Sequence, residues 1–134
     1  MGRIERFNSF LSGYSGLSYP LIRTGLGLLW IVTGALQIID PQPWFNFVSF
    51  FTSVLPVSPE AFLAFHGAVM IVEGLLLVSD FFTAVVSSII TLGTLSLVLN
   101  LLASGSTAPE MLYAVSAALM AAAVALEAAG RKTG

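Results

Sequence analysis

The chain has no cysteine, one histidine and very little charge. Without cysteine there can be no disulfide, thiol redox centre, iron–sulfur ligation or Cys-type zinc site. One histidine excludes a haem held by two axial histidines and leaves a poor metal site. Charged residues make up 9% of the 134 positions, against about 25% in a water-soluble domain. So few charges cannot cover a soluble surface. That excludes a cytosolic globular enzyme, a nucleic-acid binder and a disordered tail. Gly25 and Gly27 form no phosphate loop, because no strand precedes them and no phosphate-loop lysine follows.

What is present is apolar. Hydrophobic residues are 57% of the chain and the mean hydropathy is +0.94. Backbone amides in a bilayer must be bonded internally, so spanning segments are helices or closed barrels. The apolar runs are long and continuous, not alternating, so they predict helices. Four spans follow, at about 21–39, 61–79, 81–102 and 111–129. Each is close to the 20 residues that cross a bilayer core. Pro20 opens the first and Asp40-Pro41 closes it. Pro59 and Glu60 suit the start of the second, and only Asp80 separates the second from the third. The predicted fold class is all-α, a transmembrane four-helix bundle, with residues 1–134 as one integral membrane domain. The first apolar stretch is of full spanning length, so no cleaved signal peptide is expected.

Residues 43–55 are too short and polar to span, yet hold Trp44, Phe45, Phe47, Phe50 and Phe51. They read as an interfacial aromatic helix roofing the bundle between spans one and two. The first dozen residues, with Arg3 and Arg6 among Ile4, Phe7, Phe10 and Leu11, read similarly or as a frayed tail. Arg3, Arg6, Arg23, Arg131 and Lys132 lie at the termini or the start of the first span. Residues 40–60 and 103–110 hold no Lys or Arg. The positive-inside rule then places both termini in the cytoplasm of a multi-pass plasma-membrane protein. In the fourth span, Ala117, Ala121, Ala125 and Ala129 recur every four residues, spacing that suits close packing within the bundle.

Ionisable groups inside a bilayer are costly, so each is a functional candidate. Arg23, His66 and Glu73 qualify. His66 and Glu73 are seven residues apart, nearly two turns, so they share a helix face with Met70 between them. Arg23, Gly27, Trp30, Gly34 and Gln37 form one stripe of the first span. Arg23 and Glu73 lie in the same half of the membrane at depths about 5 Å apart, so an Arg23–Glu73 ion pair is expected; Arg23 as a snorkelling topology anchor is the alternative. Gln37, His66, Asn100 and Tyr113 lie in the opposite half and form a candidate polar layer, lined by Trp30 and the aromatics of residues 43–55. His66 also fits a simply satisfied buried histidine. No metal site and no catalytic group is expected.

The stretch LIRTGLGLLWIVTGALQIIDPQPWF resembles the first span of the DoxX/DoxD-like membrane proteins, with their arginine, glycines and Gly-x-x-Lys-Leu element. The stretch FLAFHGAVMIVEGLLLVSDFFTAVVSSIITLGTLSLVL resembles their second and third spans, with a Glu-Gly element ahead of an apolar hairpin. Arg23 and Glu73-Gly74 match by position; Gln37 stands where the family has lysine. The likeness covers roughly residues 19 to 102. It implies a four-helix integral membrane protein of a family that includes the small membrane subunit of a thiosulfate:quinone oxidoreductase. Lacking cysteine, this chain would not carry sulfur redox chemistry itself.

Two functions fit. One is an accessory or membrane-anchor subunit of a membrane oxidoreductase complex, quinone-linked, with no covalently bound cofactor and no catalysis of its own. Quinone needs apolar walls and one or two hydrogen-bond donors, which Trp30, Gln37, His66 and Asn100 would supply. The other is a small oligomeric transporter or channel with Glu73 as its proton or cation site. Expected partners are the lipid bilayer and either other membrane subunits or further copies of the chain, with no nucleic acid.

Overall fold

The structure, a computed structural model, describes residues 2–105 and 108–131. Those residues form six α-helices and no strand: α1 Arg3–Ser12, α2 Ser18–Ile39, α3 Phe45–Val54, α4 Pro59–Val78, α5 Thr83–Ser104 and α6 Ala108–Gly130. Single 3₁₀ turns at Ser15–Leu17 and Gln42–Trp44 lead into α2 and α3. Helices α2, α4, α5 and α6 are long and apolar enough to cross a membrane. Large side chains on their outer faces, such as Leu28, Val72, Leu92, Leu99, Leu119 and Leu126, are exposed. In water that surface would be a gross liability; in lipid it is ordinary.

The helix ends follow local chemistry. Helix α2 starts three residues earlier than the predicted span, because Pro20 sits inside its first turn, where a missing N–H costs nothing. Helix α4 has Pro59 at its first position and Ser58 as N-cap, whose hydroxyl accepts the Ala61 N–H at 3.1 Å. Its other end closes with paired reverse bonds, Phe81 N–H to Leu76 O at 2.8 Å and Asp80 N–H to Leu77 O at 3.1 Å. This is the Schellman pattern, with Asp80 at φ 54° in the place glycine usually takes. Phe82 is also left-handed, at φ 53°. Together they delay α5 to Thr83, two residues beyond the predicted start.

The spans associate as two tight pairs. Helix α2 packs along α4 and α5 along α6, while α4 and α5 touch sparingly despite their short connection. The α2–α4 contact is backbone on backbone. A Cβ on Gly34 would lie 2.5 Å from the Gly67 carbonyl oxygen, and one on Gly74 would lie 2.5 Å from that of Gly27. Small residues permit such an approach in lipid, where packing and not water drives association. In the second pair α6 contributes the small residues: Ala114, Ala117, Ala118, Ala121 and Ala128 are buried. Of the expected row, Ala117 and Ala121 pack inside the bundle, while Ala125 is half-buried and Ala129 is exposed, because a four-residue spacing drifts off the buried face of a 3.6-residue helix. Between the pairs lies a core of Leu26, Trp30, Met70, Leu77, Val86, Ile90 and Val124.

Helix α3 covers one end of the bundle. Phe51 lies beside Phe62 of α4, at 6.0 Å between ring centroids, and Trp44 and Phe47 meet Tyr113 of α6 at 6.1 and 5.8 Å. Asn46 donates to Glu110 Oε1 at 3.2 Å. Helix α1 buries no residue, and its Ile4, Phe7 and Phe10 are exposed.

The glycine contacts give a sharp test. Gly34→Ala and Gly67→Ala should each destabilise the protein by about 1–3 kcal/mol, the usual cost of overpacking. Gly25→Ala, at a helix position with nothing near its Cβ, should be neutral or stabilise by up to about 1 kcal/mol. Reversible unfolding in mixed micelles measures both; equal effects at positions 25 and 34 would contradict the backbone contact.

Candidate functional site

The α2–α4 register decides which polar groups meet. Gly27 faces Gly74 and Gly34 faces Gly67. One turn further along α2, the same register brings Trp30 to Glu73 and Gln37 to His66. Trp30 Nε1 donates to Glu73 Oε2 at 2.9 Å, and His66 Nδ1 lies 2.9 Å from Gln37 Oε1. Both rungs have the same build: residues three after a glycine on α2 meet residues just before a glycine on α4. Seven residues separate the rungs, about 10 Å along the helices. If Nδ1 carries the imidazole proton in that contact, Nε2 of the neutral ring is an acceptor.

The expected Arg23–Glu73 ion pair is not what forms. Arg23 lies two turns from Trp30, so the same register sets it against the end of α4. Its Nη1 donates to the Leu77 carbonyl and, at 2.8 Å, to that of Val78. Its Nε is 3.7 Å from Asp80 Oδ1. Carbonyls of a last helical turn lack the i+4 donor of the helix interior, so they can accept further bonds, and they carry the negative end of the helix dipole. A guanidinium is better placed there than deeper in the membrane. The mistaken pairing came from comparing depths along two helices while ignoring which residues face each other.

Asp80 anchors a cluster at this end. It accepts from Thr83 Oγ1 at 2.6 Å and from the Tyr19 hydroxyl at 3.0 Å. The Arg131 guanidinium lies over the Tyr19 ring, 3.9 Å from its centroid. The Thr83 hydrogen bond, with help from Tyr19, Arg23 and Arg131, holds the Asp80 carboxyl below the usual aspartate range despite some desolvation.

Asn100, expected in the ligand layer with Trp30, Gln37 and His66, is occupied elsewhere. It is buried, its Oδ1 accepts the Phe50 and Phe51 amides at 3.0 and 3.3 Å, and its Nδ2 donates to the Phe47 carbonyl at 2.6 Å. It fastens α3 to α5 and does not line the cavity that the other three share. The reason is its depth: four residues from the end of α5, it meets the covering helix and not the interior.

That cavity holds about 270 Å³ beneath α3. Trp30, Gln37, His66 and Glu73 contribute the polar groups, and Trp44, Phe47, Phe51, Phe62, Tyr113 and Met70 are among its apolar walls. The volume sits near the lower edge of small-molecule pockets and suits one or two rings. Phe62 lies one turn before His66 and nearly parallel to it, at 13° and 6.1 Å between centroids. Phe62 and Thr94 were missed as lining residues. The i, i+4 spacing of Phe62 from His66 was the available signal for the first; nothing in the sequence distinguishes Thr94 from the hydroxyls that only bond their own helix.

No protein family, curated protein or solved structure matches this chain.

Two measurements follow. A double-mutant cycle of Arg23→Met with Glu73→Leu should be additive within about 0.5 kcal/mol, while Trp30→Phe with Glu73→Leu should couple by more than that. Coupling in the first cycle and not the second would reverse the assignment. Asp80 should also make stability depend on pH. A carboxyl with a depressed folded pKa contributes fully above the unfolded value, about 3.9. That contribution is lost as pH falls through the lower folded value. Melting temperature should therefore drop more steeply below pH 4 in the wild type than in Asp80→Asn; parallel curves would contradict it.

Proposed function

We propose that this chain is an accessory subunit of a quinone-linked membrane oxidoreductase and holds the quinone head group in the cavity beneath α3. The cavity is the observation that carries the reading: aromatic walls with hydrogen-bonding groups at two levels. A quinone ring presents two flat apolar faces and an oxygen at each end. Adding a hydrogen bond of about 2.8 Å at each end gives a span of roughly 11 Å, close to the separation of the two rungs. Trp44, Phe47, Phe62 and Tyr113 would flank the ring. The Gln37 amide, held by His66, would donate an N–H to one quinone oxygen, and the Glu73 carboxyl in its protonated form, held by Trp30, would donate its O–H to the other. The quinone would supply electron-carrying capacity; the chain's own residues bind and orient it and keep water from it. The DoxX/DoxD-like resemblance points the same way. In this reading the chain sits in the plasma membrane with both termini cytoplasmic and α3 on the outer face, beside a larger catalytic subunit.

A second reading, a small oligomeric transporter with Glu73 as its proton or cation site, draws on one feature. Glu73 borders the cavity, and the Arg–Asp ion pair among the described residues leaves it without a cation. Extraction in mild detergent separates the two: a stoichiometric larger partner supports the first, and a self-oligomer alone supports the second.

Ligand binding is directly measurable, because both tryptophans of the chain, Trp30 and Trp44, border the cavity. A decyl-chain benzoquinone should quench their fluorescence saturably, and His66→Leu should weaken its affinity at least tenfold. Quenching that rises linearly without saturation would reject the quinone site.

A further inference from the structure

The cavity beneath α3 has one kind of opening. Of its lining residues, Val69, Ile89 and Gly93 are the exposed ones; the rest are buried or half-buried. Val69 lies on α4, and Ile89 and Gly93 lie one turn apart on the same face of α5. The opening therefore falls on the seam between α4 and α5, which pack far less closely than α2 with α4 or α5 with α6. Both ends of this seam are closed. At one end the 79–82 turn joins the helices directly, and at the other α3 is fastened by Asn100 to α5 and by Phe51–Phe62 to α4.

Height fixes what the opening faces. Val69 lies nine residues from the end of α4, about 14 Å along the helix, and Ile89 and Gly93 lie about 9 and 15 Å from the start of α5. In a hydrocarbon core about 30 Å thick, these heights are near the midplane. Water is scarce there, so whatever reaches the opening is dissolved in lipid. Gly93 adds a second feature: a Cβ there would have nothing within 4 Å. Unlike Gly34 and Gly67, it answers to no close helix contact, and its absent side chain leaves the mouth clear.

We propose that the seam between α4 and α5, at Val69, Ile89 and Gly93, is a lateral portal through which a lipid-soluble ring compound passes from the bilayer midplane into the cavity, leaving its apolar tail in lipid. The proposal rests on the quinone reading for the identity of the ring. The portal itself rests on where the cavity is exposed. A mouth at the midplane admits tailed, membrane-dissolved molecules and disfavours polar ones arriving from water. It also lets the head group bind while the tail stays in the lipid.

Stopped-flow quenching of Trp30 and Trp44 tests this, with the full chain in lipid nanodiscs and a decyl-chain benzoquinone as the probe. Gly93→Leu places a branched side chain in the mouth at a site with room for it, so the fold should persist. The association rate should fall at least tenfold. Val69→Ala and Ile89→Ala, which widen the mouth, should each raise the rate at least threefold and leave the affinity within threefold of wild type. Gly25→Leu, at an equally open glycine away from the cavity, should change nothing. Rates within twofold of wild type in both alanine variants overturn the portal, even if Gly93→Leu loses binding, because that loss would then come from filling the cavity. Saturable binding in the wild type with those unchanged rates leaves the quinone site standing. Absence of saturable binding in the wild type removes the site, and the portal with it.

Discussion

Everything in this protein is referred to the contact of two backbones. Where α2 meets α4, two glycines on each helix remove the side chains that would hold the axes apart, and peptide groups touch at Gly27–Gly74 and Gly34–Gly67. A close contact of this kind has no slack. Sliding one helix by a single residue would put a side chain where only a hydrogen fits. The register is therefore fixed sterically, and every polar group on that face inherits its partner from it. Trp30 meets Glu73, Gln37 meets His66, and Arg23 meets the carbonyl end of α4. None of these pairs is strong enough to set the register, since hydrogen bonds between transmembrane helices are worth only about 0.6 kcal/mol on average. The order of cause runs from packing to chemistry.

The second helix pair solves the same packing problem differently. Helices α5 and α6 use an alanine surface in place of paired glycines, and the hydroxyls of α5 turn back on their own helix: Ser87 bonds Thr83 O, Thr91 bonds Ser87 O and Thr94 bonds Ile90 O. Such internal bonds satisfy a polar group in lipid without needing a partner helix. Polar links between the two pairs are few: the Tyr113 hydroxyl donates to Thr33 Oγ1 at 3.4 Å, and Tyr19 and Thr83 meet on Asp80. Elsewhere apolar side chains meet between them on the side of the termini, and a void remains beneath α3. Asn100 is the exception on α5. It makes three hydrogen bonds to α3, two accepted and one donated, and so determines that the void has a cover.

Much of this was legible in the residues. Spans emerge from the length of the apolar runs, and the aromatic helix from its rings and flanking prolines. The stripe of Arg23, Gly27, Trp30, Gly34 and Gln37 already marks the buried face of α2, because small and polar residues avoid lipid. Less visible was the complement on α4. Gly67 and Gly74 directly follow His66 and Glu73, and the polar residues draw attention away from them. Matching the two seven-residue glycine spacings would have given the antiparallel register, and with it the true partner of Arg23. Asn100 was misplaced for another reason. Depth along a helix says how far a residue lies from the membrane surface, but not whether the nearest neighbour at that depth is a span or a covering helix.

Glu73 shows why the glycine contact and the cavity belong together. A carboxyl group in hydrocarbon needs either a hydrogen-bond donor or room for water or ligand. Trp30 supplies one donor to one oxygen, and its indole ring gives the cavity an apolar wall at the same time. A larger residue at position 74 would push the helices apart and break that bond. The carboxyl would then be left with the cavity alone. A smaller residue at position 30 would enlarge the cavity but remove the donor. The pair is therefore set from both sides: the glycines bring the carboxyl within reach of the indole, and the indole walls the space beside it. With that donor in place Glu73 has no charged partner, and the arginine of α2 instead closes the end of α4.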